Sequence, residues 1–258
     1  MTSDHKISLA LTHFNRFEML IECVQGIASD SRIGEIVISD DASTDGSWEK
    51  LVARFADYPK VKLYRNEKNL DCYANKAQAV KRTTNGWLIL FDSDNVLTSA
   101  YLDALYHLSE WDVNTIYCPD FAEPNFDYTA FGGMTIDARN VSIMMGRETR
   151  GISFDRRKMI GARRMLAPLH SRFRTALNTC NFFVHRDEYL SVWDGSVDPH
   201  TSDTIYQNFN WIKSGKKLFI VKGLRYFHRV HDKSHFKLNQ KKTGDFASKV
   251  EAALIALR

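Results

Sequence analysis

Little in this chain would staple, segment or anchor it. Its four cysteines, Cys23, Cys72, Cys118 and Cys180, lie far apart without a CxxC pair, which argues against a zinc site. Cys23 falls on the apolar face of a predicted helix and Cys118 ends a predicted strand, the pattern of buried thiols in a reducing compartment. No apolar run approaches the roughly 18 residues of a membrane-spanning helix. The N-terminal Met-Thr-Ser-Asp-His-Lys lacks the charged-then-apolar order of a leader, so a cytoplasmic protein is expected. There is no internal repeat, no low-complexity stretch and no Pro/Gly-rich linker, so residues 1–258 are expected to form a single domain.

A strong net charge is also missing. With 35 basic against 31 acidic residues the formal charge is +4, which does not demand a polyanionic partner. The basic residues are nevertheless uneven, crowding into 147–174 (Arg147, Arg150, Arg156, Arg157 and Lys158 among them) and around Lys237, Lys241 and Lys242. The 147–174 segment has little aromatic interleaving and no nucleic-acid module motif, so nucleic acid is not expected. An acidic acceptor, a lid role or peripheral membrane contact stays open for it.

What is present is alternation. Apolar strands read at Ile7–Leu11, Glu35–Ser39, Val61–Tyr64 and Trp87–Phe91. Between them, Phe17, Leu20, Ile21, Val24 and Ala28 follow helical spacing, as do Trp48, Leu51, Val52 and Phe55, with a third helix over 73–82. Such alternation predicts right-handed βαβ units and a parallel sheet. Ligands then bind beyond the carboxyl ends of the strands, where Thr12–Arg16, Asp40–Gly46 and Asp92–Asn95 fall. After residue 100 the pattern loosens. Helices are expected at Ser99–Glu110, around 156–166 and at Ser202–Ser214. Strands are expected at Thr115–Cys118, Asn178–Val184 and Lys217–Val221, followed by a histidine-rich loop and a C-terminal amphipathic helix.

Asp92-Ser93-Asp94, after the buried run Gly86–Leu90, places two carboxylates one residue apart at a strand end. Carboxylates that close repel unless a cation lies beside them. Hard cations such as Mg²⁺ and Mn²⁺ take oxygen ligands and bridge protein carboxylates to phosphates.

Ile7-Ser-Leu-Ala-Leu-Thr-His-Phe-Asn-Arg16, Glu35-Ile-Val-Ile-Ser-Asp-Asp-Ala-Ser-Thr-Asp-Gly46, Asn69-Leu70 through Lys76, and Phe91-Asp-Ser-Asp-Asn95 together resemble family 2 glycosyltransferases of the GT-A fold. The match covers about the first 100 residues, in order and at natural spacing. It implies a Rossmann-like, mixed but mainly parallel α/β sheet flanked by helices. The half up to residue 100 would bind a nucleotide-diphospho-sugar, and 101–258 would hold the acceptor and the base. Nucleotide-sugar contacts then fall to Thr12, His13, Arg16, Asp41, Lys76, Asp92, Ser93 and Asp94. Thr12 and Asp41 would read a base such as uracil, whose ring N–H is flanked by carbonyls. Asp40 and Asp45 read instead as loop and cap residues. Mn²⁺ or Mg²⁺ would be held by Asp94 with support from Asp92, and by a late histidine, His231 in preference to His228. Arg229 or Lys233 would add charge at the diphosphate. Inversion needs a base on the face opposite the leaving group; the resemblance places it at Asp203, with Asp198 as runner-up. Asn178-Thr-Cys-Asn181 and Trp193 would shape binding of a glycan or glycoconjugate acceptor. One departure stands out: many relatives carry glycine where this chain has Asp71.

Two other readings compete. One is a non-catalytic binder of nucleic acid or anionic surfaces through 147–174. The other is a nucleotidyltransferase on a related fold, against which the absence of glycine from Thr12–Arg16 counts. The sugar, the linkage and the oligomeric state are not legible.

Overall fold

The structure is a computed structural model and describes residues 5–144, 176–230, 245–250 and 252–253. In chain order the elements are β1 (Ile7–His13), α1 (Phe17–Gln25), β2 (Ile33–Asp40), α2 (Ser47–Phe55), β3 (Val61–Arg65), α3 (Asp71–Lys81), β4 (Trp87–Asp92) and α4 (Ser99–Tyr106). There follow β5 (Thr115–Glu123), β6 (Phe126–Asp127), β7 (Thr135–Ile136), α5 (Ala138–Met144), β8 (Phe182–His185), α6 (Arg186–Val192), α7 (Asp203–Lys213) and β9 (Lys217–Phe227). One sheet runs β3-β2-β1-β4-β8-β5-β9-β7, with β6 paired to β5. Strands β1 to β4 are mutually parallel, β8 runs antiparallel to both β4 and β5, and β5 pairs parallel with β9. This is the expected mixed sheet, and both halves of the chain contribute to it.

The central strands are apolar on both faces because helices cover both faces. Along β4, Ile89 and Phe91 face a core built with Leu20 and Val24 of α1, Leu51 of α2 and Leu102 of α4. Leu88 and Leu90 face the other core, made with Val80 of α3, Tyr189 of α6, and Ile205 and Trp211 of α7. Register then levels the strand ends: Thr12 lies beside Asp92 of β4 and Ser39 of β2, and His13 lies beside Asp40. The polar segments after β1, β2 and β4 therefore leave the sheet abreast.

Several boundaries differ from the sequence expectations. Helix α4 stops at Tyr106 rather than Glu110, because the indole N–H of Trp111 folds back onto the Leu105 carbonyl at 3.2 Å. Strand β5 continues through Pro119, which has no N–H to donate, and the register with β9 shifts there. Strand β8 begins only at Phe182, since Asn181 has φ +59° and breaks the extended backbone. Strand β9 extends to Phe227 and takes in the start of the expected histidine-rich loop. The expected 156–166 helix and the basic 147–174 segment lie outside the described residues. So does most of the C-terminal stretch, apart from a helical piece at 245–250 whose Val250 joins the core. No described helix is long and apolar enough to cross a membrane.

At the end of the sheet away from the strand carboxyl ends, Glu35 of β2 ties three elements together. Its carboxylate accepts from the Ser8 hydroxyl at 2.6 Å and the Thr84 hydroxyl at 2.9 Å, and it pairs with Lys62. Burial pushes the Glu35 carboxyl up, but the Lys62, Ser8 and Thr84 bonds outweigh burial and bring it down from 4.5 to about 2. A carboxyl lowered by folding stabilises above its unfolded value, and that stabilisation is lost as pH falls from about 4.5 towards 2. Glu35→Gln is expected to cost about 2 kcal/mol at pH 7 in urea denaturation. The gap between variant and wild type should close as the pH is lowered through that window; a constant gap would show that the carboxylate charge is not what holds the strands.

Candidate active site

A cleft of about 1070 Å³ opens at the carboxyl ends of β1, β2 and β4. Its opposite wall comes from the segment before β8, the start of α7 and the residues that follow β9. All eight residues expected to meet a nucleotide sugar line it: Thr12, His13, Arg16, Asp41, Lys76, Asp92, Ser93 and Asp94. Asp203 and His228 line it too, although they come from the other half of the chain.

At one end Asp41 is held rigidly. Its Oδ1 accepts from Asn66 Nδ2 and from the Leu70 amide, each at 2.9 Å, and its own amide donates to the His13 carbonyl at 2.8 Å. Burial pushes the Asp41 carboxyl up, and the Leu70 and Asn66 bonds only partly offset this. Asp40 turns the other way. It accepts from the Ser43 amide at 3.1 Å and from the Ser43 hydroxyl, shaping the loop. Asp45 accepts from the Ser47 amide at 3.0 Å at the start of α2. His13 is 1% exposed, and burial lowers it to about 4 against the pull of Asp40, so its ring is neutral near pH 7.

At the middle of the cleft Asp92 and Asp94 diverge. Asp94 Oδ2 lies 2.7 Å from the Arg16 guanidinium. Asp92 Oδ1 lies 3.1 Å from Lys76 Nζ and 3.5 Å from the Thr12 hydroxyl, while the Asp92 amide donates to Asn181 Oδ1 at 2.7 Å. Lys76 also donates to Asp203 Oδ2 at 2.7 Å. Burial opposes the Lys76 charge, but Asp203 and Asp92 outweigh burial and hold the ammonium well above the usual lysine value. Two thiols face the same region. Burial pushes Cys180 up to about 12 and Cys72 well above its ordinary value, so neither is a nucleophile near neutral pH.

The expected metal set is only partly assembled. Asp92 and Asp94 share the strand end. His228 lines the cleft, but the two aspartates and His228 do not form a three-donor group, and His231 and Lys233 lie outside the described residues. The Arg229 guanidinium turns to Glu22 of α1 at 2.6 Å. Among the described residues the three-donor group that could hold a metal ion is Asp71, Asp198 and His200, whose ligand atoms lie within 4.8 Å of one another. Asp198, the runner-up for the base, is exposed and pairs with His200 at 3.1 Å; it does not line the cleft. Trp193 is absent from the cleft as well. It packs on Tyr73 at 5.8 Å, with Lys81 4.9 Å above its ring.

Asn66 and Asn181 were not singled out individually by sequence, yet they orient Asp41 and Asp92. Asn66 follows β3, so the strand-end rule applied to that strand would have found it. Asn181 lies in the segment assigned to acceptor binding; its carbonyl accepts from the Tyr101 hydroxyl at 2.6 Å while its side chain serves Asp92.

The sheet, its flanking helices and a carboxylate-lined cleft at the strand ends define an α/β protein of the GT-A type. The profile described as "Glycosyl transferase family 2" matches residues 8–167, and the chain belongs to that family. Over 119 residues it is 27% identical to the cholesterol galactosyltransferase of Borreliella burgdorferi, covering 45% of this chain and 33% of that protein. Over 132 residues it is 25% identical to glycosyltransferase GlyG of Streptococcus pneumoniae, covering 49% and 44% respectively. The chain thus matches less than half the length of these curated relatives. Among solved structures, S. aureus TarS 1-349 in complex with UDP-GlcNAc superposes with a TM-score of 0.66 at 12% identity, over 96% of this chain and 66% of that one. Mannosyltransferase PcManGT from Pyrobaculum calidifontis, in complex with GDP-Man and Mn²⁺, superposes with a TM-score of 0.57 at 12% identity, over 97% and 74%. These two likenesses establish the fold.

Asp71 also explains the departure from glycine. Its φ is +67°, a left-handed conformation that glycine adopts at no steric cost. Asp71→Gly is expected to melt within about 0.5 kcal/mol of wild type, whereas Asp71→Val should lose roughly 1–2 kcal/mol. Thermal denaturation of the two variants checks this; equal losses would mean that the side chain and not the backbone sets the preference.

Proposed function

We propose that the protein is an inverting transferase that moves a sugar from a nucleotide-diphospho-sugar, a UDP-sugar in the first instance, to a hydroxyl of a glycan or glycoconjugate acceptor. One observation carries this reading. Asp41, the Asp92/Asp94 strand end and Asp203 line a single cleft although they come from three separate segments of the chain. The complexes of the two structural neighbours with UDP-GlcNAc and GDP-Man support a nucleotide-sugar donor.

The residues divide the work by position. Asp41, fixed by Asn66 and Leu70, faces the nucleobase and accepts its ring N–H. Arg16 lies beside Asp94, where a diphosphate would sit, and offers planar paired donors to phosphate oxygens. Asp203, 7% exposed on the far wall, takes the proton of the acceptor hydroxyl as that oxygen attacks the sugar carbon opposite the leaving nucleotide. The oxygen donors of Asp92 and Asp94 suit Mg²⁺ or Mn²⁺. Such a cation, when bound there, neutralises charge that develops on the departing nucleoside diphosphate.

The decisive variant is Asp203→Asn. It is expected to lower sugar transfer by at least about 100-fold while leaving UDP affinity within about threefold. Asp41→Asn should instead weaken UDP binding by about tenfold, the loss of one charged hydrogen bond. Thermal-shift titration with UDP-, GDP- and dTDP-sugars, with and without Mn²⁺, gives the donor. If none stabilises the protein, the transferase reading fails. Binding to oligonucleotides with a steep salt dependence would favour the anionic-surface reading instead.

A further inference from the structure

Lys76 is the least expected group in the cleft. The resemblance suggests a nucleotide contact, yet the side chain is committed elsewhere. Its ammonium sits 2.7 Å from Asp203 Oδ2 and 3.1 Å from Asp92 Oδ1, and the residue is only 8% exposed. An ammonium has three donors, and two of these are spent on carboxylates from different elements. Among the described residues Lys76 is the one cation paired with Asp203. The aspartate itself sits at the first residue of α7, after a short 3-10 turn at His200–Ser202, where the chain has just changed direction.

We propose that Lys76 is a positioning residue for the base. By holding Asp203 and Asp92 on one buried ammonium, it sets the base at a fixed distance from the strand end that anchors the donor. The acceptor oxygen must reach the sugar carbon and the base together, and an error of about 1 Å in such an arrangement costs about 100-fold in rate. A ligand of the nucleotide would have no need of Asp203. A positioning residue needs both partners, and both are present. The inference rests on Asp203 being the base, and its test separates the two.

The full chain is used with UDP and Mn²⁺ as the binding probe and release of UDP from UDP-GlcNAc and UDP-galactose as the turnover readout. Lys76→Met should lower kcat about 100-fold with the UDP Kd within about threefold, a split that general loosening of the cleft would not give. Lys76→Arg, which keeps the charge, should recover part of that loss. The double variant with Asp203→Asn should be no slower than Asp203→Asn alone, because the two residues act as a unit. Independently of turnover, the side-chain ammonium signal of Lys76 in ¹⁵N-labelled protein, assigned by its loss in Lys76→Arg, should move in Asp203→Asn and stay in place when UDP is added. If Lys76→Met does not fold, Lys76→Arg and the ammonium signal carry the same decision.

The proposal is overturned if Lys76→Met weakens UDP binding more than tenfold with kcat retained. It is equally overturned if the ammonium signal responds to UDP and not to Asp203→Asn. Undiminished turnover in Asp203→Asn would remove the base reading itself, whatever Lys76 does to UDP affinity.

Discussion

One buried ammonium holds the two halves of this cleft together. Asp92 arrives at the end of β4, and Asp203 arrives more than a hundred residues later at the start of α7. Asp203 is buried and Asp92 half-buried, and carboxylates brought this close repel one another unless a positive charge lies beside them. Lys76, on the helix between β3 and β4, supplies it. The pair is better understood as specifying an arrangement than as adding stability. A buried ion pair barely repays its desolvation, whereas removing one partner costs about 3–5 kcal/mol. Helix α3 therefore sits where it does for electrostatic as well as apolar reasons.

The parallel register does the rest of the positioning. Because β1 pairs with β2 and β4 with their ends level, the loops that follow these strands open at one height. Those loops and the opposite wall also carry the unusual backbone. Asn15, Ala42, Asp71, Asn181 and His200 all have positive φ; Asp71 opens α3 and lines the cleft, and the other four lie in connections next to residues that line it. Left-handed non-glycine residues are costly and persist where surrounding bonds over-determine them. Asn181 shows how: its side chain receives the Asp92 amide while its carbonyl receives the Tyr101 hydroxyl.

The two halves differ in how far they follow relatives. The family profile ends at residue 167, so Asp203, His228 and all of β8 and β9 lie beyond it. The fold nevertheless continues to match solved structures over nearly the whole chain at 12% identity. Packing tolerates sequence change where volume and patterning are kept, so a fold can persist beyond the stretch that a sequence profile matches.

The amino-acid sequence by itself determined the local elements of the first hundred residues. Period-2 and period-3.6 apolar patterns are set by short-range geometry, and strand-end polarity then marks where a ligand binds. The strand-end positions of Asp92 and Asp94 were legible for that reason, as was the Asp40–Gly46 segment, within which the family resemblance singled out Asp41. What only the tertiary structure decided were the contacts that cross the chain. It put Lys76 on Asp203, gave Asp92 its Asn181 partner, turned Arg229 to Glu22, kept Trp193 out of the cleft, and set Asp71 beside Asp198 and His200. Each depends on which long side chain reaches which distant carboxylate in a shared low-dielectric space. No spacing along the sequence encodes that distance. Asp92-Ser93-Asp94 is thus readable as a pair of carboxylates from its own residues, but the cations each one faces are chosen by the fold.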